Sequence, residues 1–184
     1  SFYQMWIDFE TPLTAPSAPA GYTLRTISRG DDWKLVFGVR RDAWRDHFGY
    51  IERPIEDEYE AWMHYWQENF HDDCWYVAEK EGEFAAICLV EPTFNDDDTV
   101  GYVATLAVRR AHRKRGLGST MLSYGLHRLQ AMGKRAVALH VDGSSLTGAV
   151  AMYERAGMRV RRRYDWLMKE LRPGIDHRVT SATE

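Results

Sequence analysis

Residues 100–133 constrain the fold of this chain more than any other stretch. The apolar run Val100–Val108 leads straight into the loop "RRAHRKRGLGST", after which Leu117, Met121, Leu122, Leu126 and Leu129 recur at helical spacing up to Gly133. The run reads as a strand, the recurrence as one apolar face of a helix, and the glycine as its stop. A helix tied to a strand through so short a loop has to lay its apolar face back on the sheet containing that strand. The architecture is therefore a sheet with helices packed on it.

The flanking segments extend this unit. "SFYQMWIDFE", residues 1–10, alternates bulky apolar and polar groups and reads as a strand, and "TPLTAPSAPAG" is linker chemistry over residues 11–20. "YTLRTI" is a short strand, and "DDWKLVFGVRRDAWRDHF" carries Trp33, Val36, Phe37 and Trp44 at helical spacing behind an acidic start. Pro54 opens a second helix over residues 55–70. Two alternating runs, Cys74–Glu79 and Phe84–Glu91, joined by "KEGE", read as a hairpin, and "FNDDDT" as a loop tip. Ala136–Val141 is a strand, Thr147–Ala156 a helix closed by Gly157, and Met158–Leu171 a long strand or strand pair. The order after the linker is β-α-α-β-β-β-α-β-α-β. It predicts one α/β (α+β) domain over residues 21–173, with a mixed central sheet flanked by four helices and a flexible tail at 174–184.

The loop itself packs six cationic side chains, counting His112, and two glycines into twelve positions. A helix N-terminus offers unpaired N–H groups and a partial positive charge, and glycine lets that backbone approach a bound group closely. Phosphate is the expected guest, with Ser119, Thr120 and the arginines as further donors. A nucleic-acid surface wants basic residues spread along an exposed face with aromatics between them. The compression into one turn favours the phosphate cradle, although the loop alone is also compatible with a glycine turn among solvated arginines. The net charge of −3 and isoelectric point near 6.2 point to neither nucleic acid nor an anionic membrane.

The loop resembles the acyl-CoA-binding motif of the GNAT acetyltransferase superfamily, Arg/Gln-x-x-Gly-x-Gly/Ala, matched by Arg113, Gly116 and Gly118. "VDGSSLTGAVAMYERAGM" resembles the later strand and helix of that family, and the likeness covers nearly all of residues 21–171. "WRDHFGY" and this second stretch are most similar to actinobacterial tandem-GNAT proteins, mycothiol synthase among them, in their C-terminal half. The resemblance implies the GNAT fold. It also implies acetyl-CoA as cosubstrate, with no metal, and transfer of the acetyl group directly to a primary amine of a small molecule in a ternary complex. Pantetheine would pair with Leu106, Ala107 and Val108, and the pyrophosphate would meet Arg113, Lys114, Arg115, Gly116, Leu117, Gly118 and Ser119. Tyr153 matches the family's general acid. Its place on the apolar face of a short helix, three residues after Val150, also fits a plain core residue.

No acid near Thr105 on the central strand supplies the base that many relatives carry there. His47, Glu91, His140 and Asp142 are the candidates, and each has a structural alternative as a helix end, a strand end, a strand residue and a cap, respectively. The position commonly Asn in the last motif is Leu146, so a hydrogen bond there is missing or replaced by Ser144, Ser145 or Thr147. A non-catalytic acyl-CoA-binding or regulatory domain of a tandem protein is the alternative reading.

Charge is unevenly distributed. Residues 30–100 hold 19 acidic and 6 basic residues, whereas residues 101–173 hold 15 basic and 4 acidic. The family's acceptor wall corresponds to the first two helices, and Asp42, Asp46, Glu52, Glu56, Asp57, Glu58 and Glu60 there would suit a cationic amine, or simply face solvent. Trp33, Trp44, Trp62 and Trp66 line a pocket or belong to the core. Cys74 and Cys88 lack metal-ligand spacing and read as buried reduced thiols, as in a cytoplasmic protein. No apolar run approaches the length of a membrane span. The first strand resembles the chain's own "RYDWLMKEL", which suggests the last strand of a preceding GNAT domain. It would dock on this sheet or exchange between two copies of the chain.

Overall fold

The strand, loop and helix of residues 100–133 sit at the centre of a seven-stranded sheet. The structure is a computed structural model and describes residues 1–178 apart from 31, 48, 144–147, 168, 170, 173, 176 and 177. Its elements are β1 (Phe2–Asp8), β2 (Thr23–Thr26), α1 (Trp33–Trp44), α2 (Ile55–Asn69), β3 (Trp75–Lys80), β4 (Glu83–Glu91), β5 (Val100–Val108), α3 (Leu117–Ala131), β6 (Ala136–Asp142), α4 (Ala149–Arg155) and β7 (Arg159–Tyr164). A single 3-10 turn, Arg110–His112, lies between β5 and α3. The order of elements is the one the periodicities predict. Ser144, Ser145, Leu146 and Thr147 lie outside the described residues, as does most of the expected tail.

The strands lie in the order β2-β3-β4-β5-β6-β1-β7, and only β5 and β6 run parallel. The β3–β4 hairpin turns through Glu81 and Gly82, both with positive φ, as a two-residue hairpin turn requires. In α1, Trp33, Val36 and Phe37 are buried as their spacing predicts, whereas Trp44 is only half-buried and Val39 and Ala43 complete the buried face. Acidic Glu56, Asp57 and Glu58 occupy the first turn of α2, where they meet the positive end of the helix dipole. α1 and α2 lie on one face of β3–β5 and α3 on the other. Leu89 and Glu91 point toward α1–α2, while Cys88 and Val90 abut Gly125 of α3. Trp75 is fully buried beneath α1 and α2, with the rings of Trp33, Trp66 and Phe70 each 4.9 Å away and Trp62 at 5.5 Å. Trp33, Trp62 and Trp66 are therefore core. Both cysteines are buried free thiols, and burial pushes Cys88 up to about 12.

Two placements depend on partners far away in sequence. β1 is an interior strand, paired along its whole length with β6 and on its other side with β7. That arrangement satisfies both of its edges and buries Met5, Trp6 and Gln4. β7 is shorter than the expected strand over 158–171. Its last pair is Phe2 with Tyr164. Asp165 instead accepts a 2.5 Å bond from Ser1 Oγ. The Pro-rich linker carries no strand or helix, but Gln130 of α3 pins it by bonding Leu13 N–H and Thr11 C=O at 2.7 and 2.8 Å.

Candidate active site

β5 and β6 pair only from Val100–Ala136 to Val103–Leu139 and then part. A bulge marks the same level. Leu89 faces Thr105 while Val90 faces Val103, so Ala104 is an extra residue that bends β5. Leu106, Ala107 and Val108 lie on the parted stretch, with β4 on one side and, among the described residues, no strand on the other.

The stretch leads into the basic loop. Lys114 has φ +60° and Gly116 φ +76°, which turns the chain into α3 at once. No side chain caps that helix, and the first closing bond is Thr120 N–H to Gly116 C=O at 3.1 Å. The amides of Leu117, Gly118 and Ser119 therefore have no acceptor within the helix. A Cβ on Gly118 would lie 3.1 Å from Met152 Sδ and 3.7 Å from Val108 Cγ2, so glycine leaves the backbone bare where α4 and β5 approach it. These groups fit a phosphate-bearing chain lying in the gap between the strands. Leu117 itself is buried and anchors the helix start.

The arginines before the glycines do something else. Asp42 and Asp46 lie one helical turn apart at the end of α1 and face the loop. Asp42 pairs with Arg109, whose guanidinium lies 3.5 Å from where a Cβ on Gly38 would stand. Asp46, 2% exposed, accepts from Arg110 and, at 2.5 Å, from Arg113. Burial pushes the Asp46 pKa up, but the two guanidinium bonds more than offset it and hold the carboxyl below its ordinary value. Arg113 also donates to Val108 C=O at 3.1 Å. His112 is buried against Tyr22 Oη at 2.9 Å. Arg109 and Arg110 are thus not idle solvated charges, and the loop cations with no ion-pair partner among the described residues are Lys114 and Arg115.

Tyr153, on α4, is 8% exposed. Burial raises its pKa well above the usual phenol value, and the Cys88 thiol and Tyr102 phenol add to the rise. The base candidates fall in two places. His140 follows Leu139, the last β6 residue paired with β5, so its ring stands where the strands part. Its Nδ1 lies 3.1 Å from Tyr102 Oη and its Nε2 3.5 Å from Gln4 Nε2. Burial lowers the His140 pKa and keeps the imidazole neutral at neutral pH. Glu91 pairs across the sheet with Tyr102 and accepts a 2.8 Å bond from Tyr65 Oη on α2. Burial raises its pKa, against the effect of that bond. Glu91 is 9% exposed, behind Tyr65. His47 stacks on Trp44 at 4.6 Å. Burial lowers its pKa, Asp142 at the end of β6 opposes the shift, and Arg113 adds to it. Tyr102, Tyr65, Gln4 and Asp46 complete these constellations and carry no motif of their own.

The Acetyltransferase (GNAT) family matches residues 37–158. The mycothiol acetyltransferase of Thermobispora bispora is 28% identical over 160 residues, which cover 85% of this chain and 53% of that protein. A solved GCN5-related N-acetyltransferase from Sphaerobacter thermophilus superposes with a TM-score of 0.79 at 31% identity, covering 95% of this chain and 53% of its own. A tandem GNAT protein of clavulanic acid biosynthesis, 16% identical, shares the fold with a TM-score of 0.65 over 86% of this chain and 50% of its own. The chain thus spans about half the length of these relatives. The family match over most of the chain, the mixed sheet with parted parallel strands and the open glycine-lined helix start agree, and the chain belongs to the GNAT acetyltransferase family.

Proposed function

We propose that this chain is an acetyl-CoA-dependent N-acetyltransferase that moves the acetyl group directly to a primary amine of a small molecule. The observation that carries the reading is the gap between β5 and β6. It opens at one end onto the free amides of Leu117–Ser119, and His140 stands where it closes at the other. In this reading the amides and Lys114 and Arg115 hold the pyrophosphate, and the edge of Leu106–Val108 holds the pantetheine arm. Arg113 acts through its tie to Asp46, which fixes the loop. Placing thioester and amine side by side supplies most of the acceleration.

The amine nitrogen attacks the thioester carbon, a C–N bond forms and the C–S bond breaks. His140, neutral and held by Tyr102, takes the amine proton. Tyr153 stays protonated at working pH and donates to the sulfur as negative charge builds on it. The net reaction moves one proton from amine to sulfur and leaves free CoA thiol. Tyr153→Phe is expected to lower kcat in a thiol-release assay while acetyl-CoA affinity stays unchanged, and unchanged turnover removes the assigned role. Binding of acetyl-CoA without thiol release across a broad amine panel would leave an acyl-CoA-binding domain instead.

The half-length coverage of the relatives supports one further reading, in which β1 is the last strand of a preceding, similar domain. The coding sequence upstream of Ser1 tests it. A reading frame continuing into such a domain supports the reading, and a start codon immediately before Ser1 overturns it.

A further inference from the structure

The α1–α2 face of the sheet is only half roofed. The helices cover β3–β5, and the remaining half carries rings along β6, β1 and β7. Phe94 stacks on Tyr102 with centroids 5.1 Å apart, Tyr102 meets His140 at 5.7 Å, and His140 meets Tyr164 at 6.2 Å. Beside them Phe2 meets Trp166 edge-on at 6.3 Å. Phe2, His140, Tyr164, Asp165, Trp166 and Leu167 line an open surface hollow of about 520 Å³, with Trp166 and Leu167 largely exposed at its rim, a size that suits a small molecule. His140 belongs both to this hollow and to the place where β5 and β6 part.

The polar groups limit what the hollow can take. Asp165 is already engaged by Ser1 Oγ and Arg163, so its charge is partly spent. His140 is neutral, and Glu91 pairs across the sheet with Tyr102, its carboxyl bonded by Tyr65. One ammonium group is served near His140 by ring faces and Glu91, whereas a second, farther out, would find rings and an occupied carboxylate. The acidic hollow on α2, lined by Asp57, Glu60, Ala61 and His64, shares no residue with this one.

We propose that the acceptor is a monoamine borne on a flat apolar ring, of the arylalkylamine class, with its ring in the hollow against Phe2, Tyr164 and Trp166 and its nitrogen at His140. The proposal rests on the transferase reading for the role of His140, but binding can be measured without turnover. Calorimetry of the CoA-loaded protein is expected to give tighter binding of 2-phenylethylamine than of putrescine, by about tenfold, the scale of one ring-stacking contact. Trp166→Ala and Tyr164→Ala are each expected to weaken 2-phenylethylamine by a similar factor and to leave putrescine and acetyl-CoA unchanged. In the thiol-release assay the same preference is expected in kcat/KM. Equal or tighter binding of putrescine overturns the proposal, as does an equal loss of both amines in the variants. A Trp166→Ala protein that keeps 2-phenylethylamine affinity but sediments as a smaller species also overturns it, because the hollow would then be an interface between copies. Selective amine binding with no thiol release would instead count against the transferase reading and leave the ring pocket standing.

Discussion

Replacing Asp46 with alanine removes the buried one of two carboxylates, Asp42 and Asp46, that tie the end of α1 to the basic loop. Its side chain is 2% exposed and bonds two guanidinium groups, whereas Arg110 and Arg113 are 53% and 25% exposed. Hydrogen bonds to charged groups contribute about 1.5–3 kcal/mol each, and stranding a fully buried partner costs about 3–5 kcal/mol. Both arginines here regain water when the carboxylate goes, so the expected loss is about 2–3 kcal/mol, or about 5–10 °C in Tm for a chain of this size. The pH dependence gives a sharper readout. The folded Asp46 pKa lies below the unfolded value of about 3.9. Its stabilisation is therefore fully present above that pH and is lost as pH falls through the folded value. Thermal unfolding of wild type and Asp46→Ala should differ by a constant amount above about pH 5, and the gap should narrow below about pH 4. The KM for acetyl-CoA should rise while kcat changes less, because the loop loses its hold but the chemistry keeps its groups. An unchanged Tm at pH 7, or a gap that does not narrow in acid, refutes the clamp.

Other changes probe the rest of the site. If neutral His140 is the base, kcat/KM for the amine should rise with pH through a value below the ordinary histidine pKa. Above that value it should follow the ionisation of the free amine, since Tyr153 ionises only far higher, and His140→Gln should remove the limb set by His140. Gly118→Val places branches over the amides of the first α3 turn and should weaken acetyl-CoA binding in calorimetry by at least about tenfold, or 1.4 kcal/mol; wild-type affinity contradicts the cradle. Gly125→Ala would set a Cβ 2.8 Å from Cys88 Sγ and 2.9 Å from Val90 Cγ1. Overpacking there costs about 1–3 kcal/mol, against about 1 kcal/mol gained in helix propensity, so chemical denaturation should show a net loss of stability.

Much of this fold is legible in the sequence because its elements are set by local periodicity. The β3–β4 hairpin and the face of α3 follow from residues a few positions apart. The place of β1 does not, since pairing Phe2 with Asp142 and Tyr164 depends on contacts that no local pattern encodes. The end of β7 depends on distant partners in the same way, since its last pair joins Tyr164 to Phe2. The site divides along the same line. The proposed phosphate cradle rests on Gly116 and Gly118, two residues apart, and the proposed role of Tyr153 rests on its own motif. The clamp joins Asp46 to residues 64 and 67 positions away, and the Tyr102–His140 pair spans 38. The basic run "RRAHRKR" therefore looks uniform in sequence but splits in space into cations bound by carboxylates at the end of α1 and cations with no ion-pair partner among the described residues.

The most direct test of direct transfer is intact-mass analysis of the protein mixed with acetyl-CoA, first alone and then with 2-phenylethylamine. The account predicts an unmodified protein in both mixtures, with N-acetylated amine and CoA thiol appearing in equal amounts only in the second. An acetylated protein chemically competent to pass its acetyl group to the amine would contradict it.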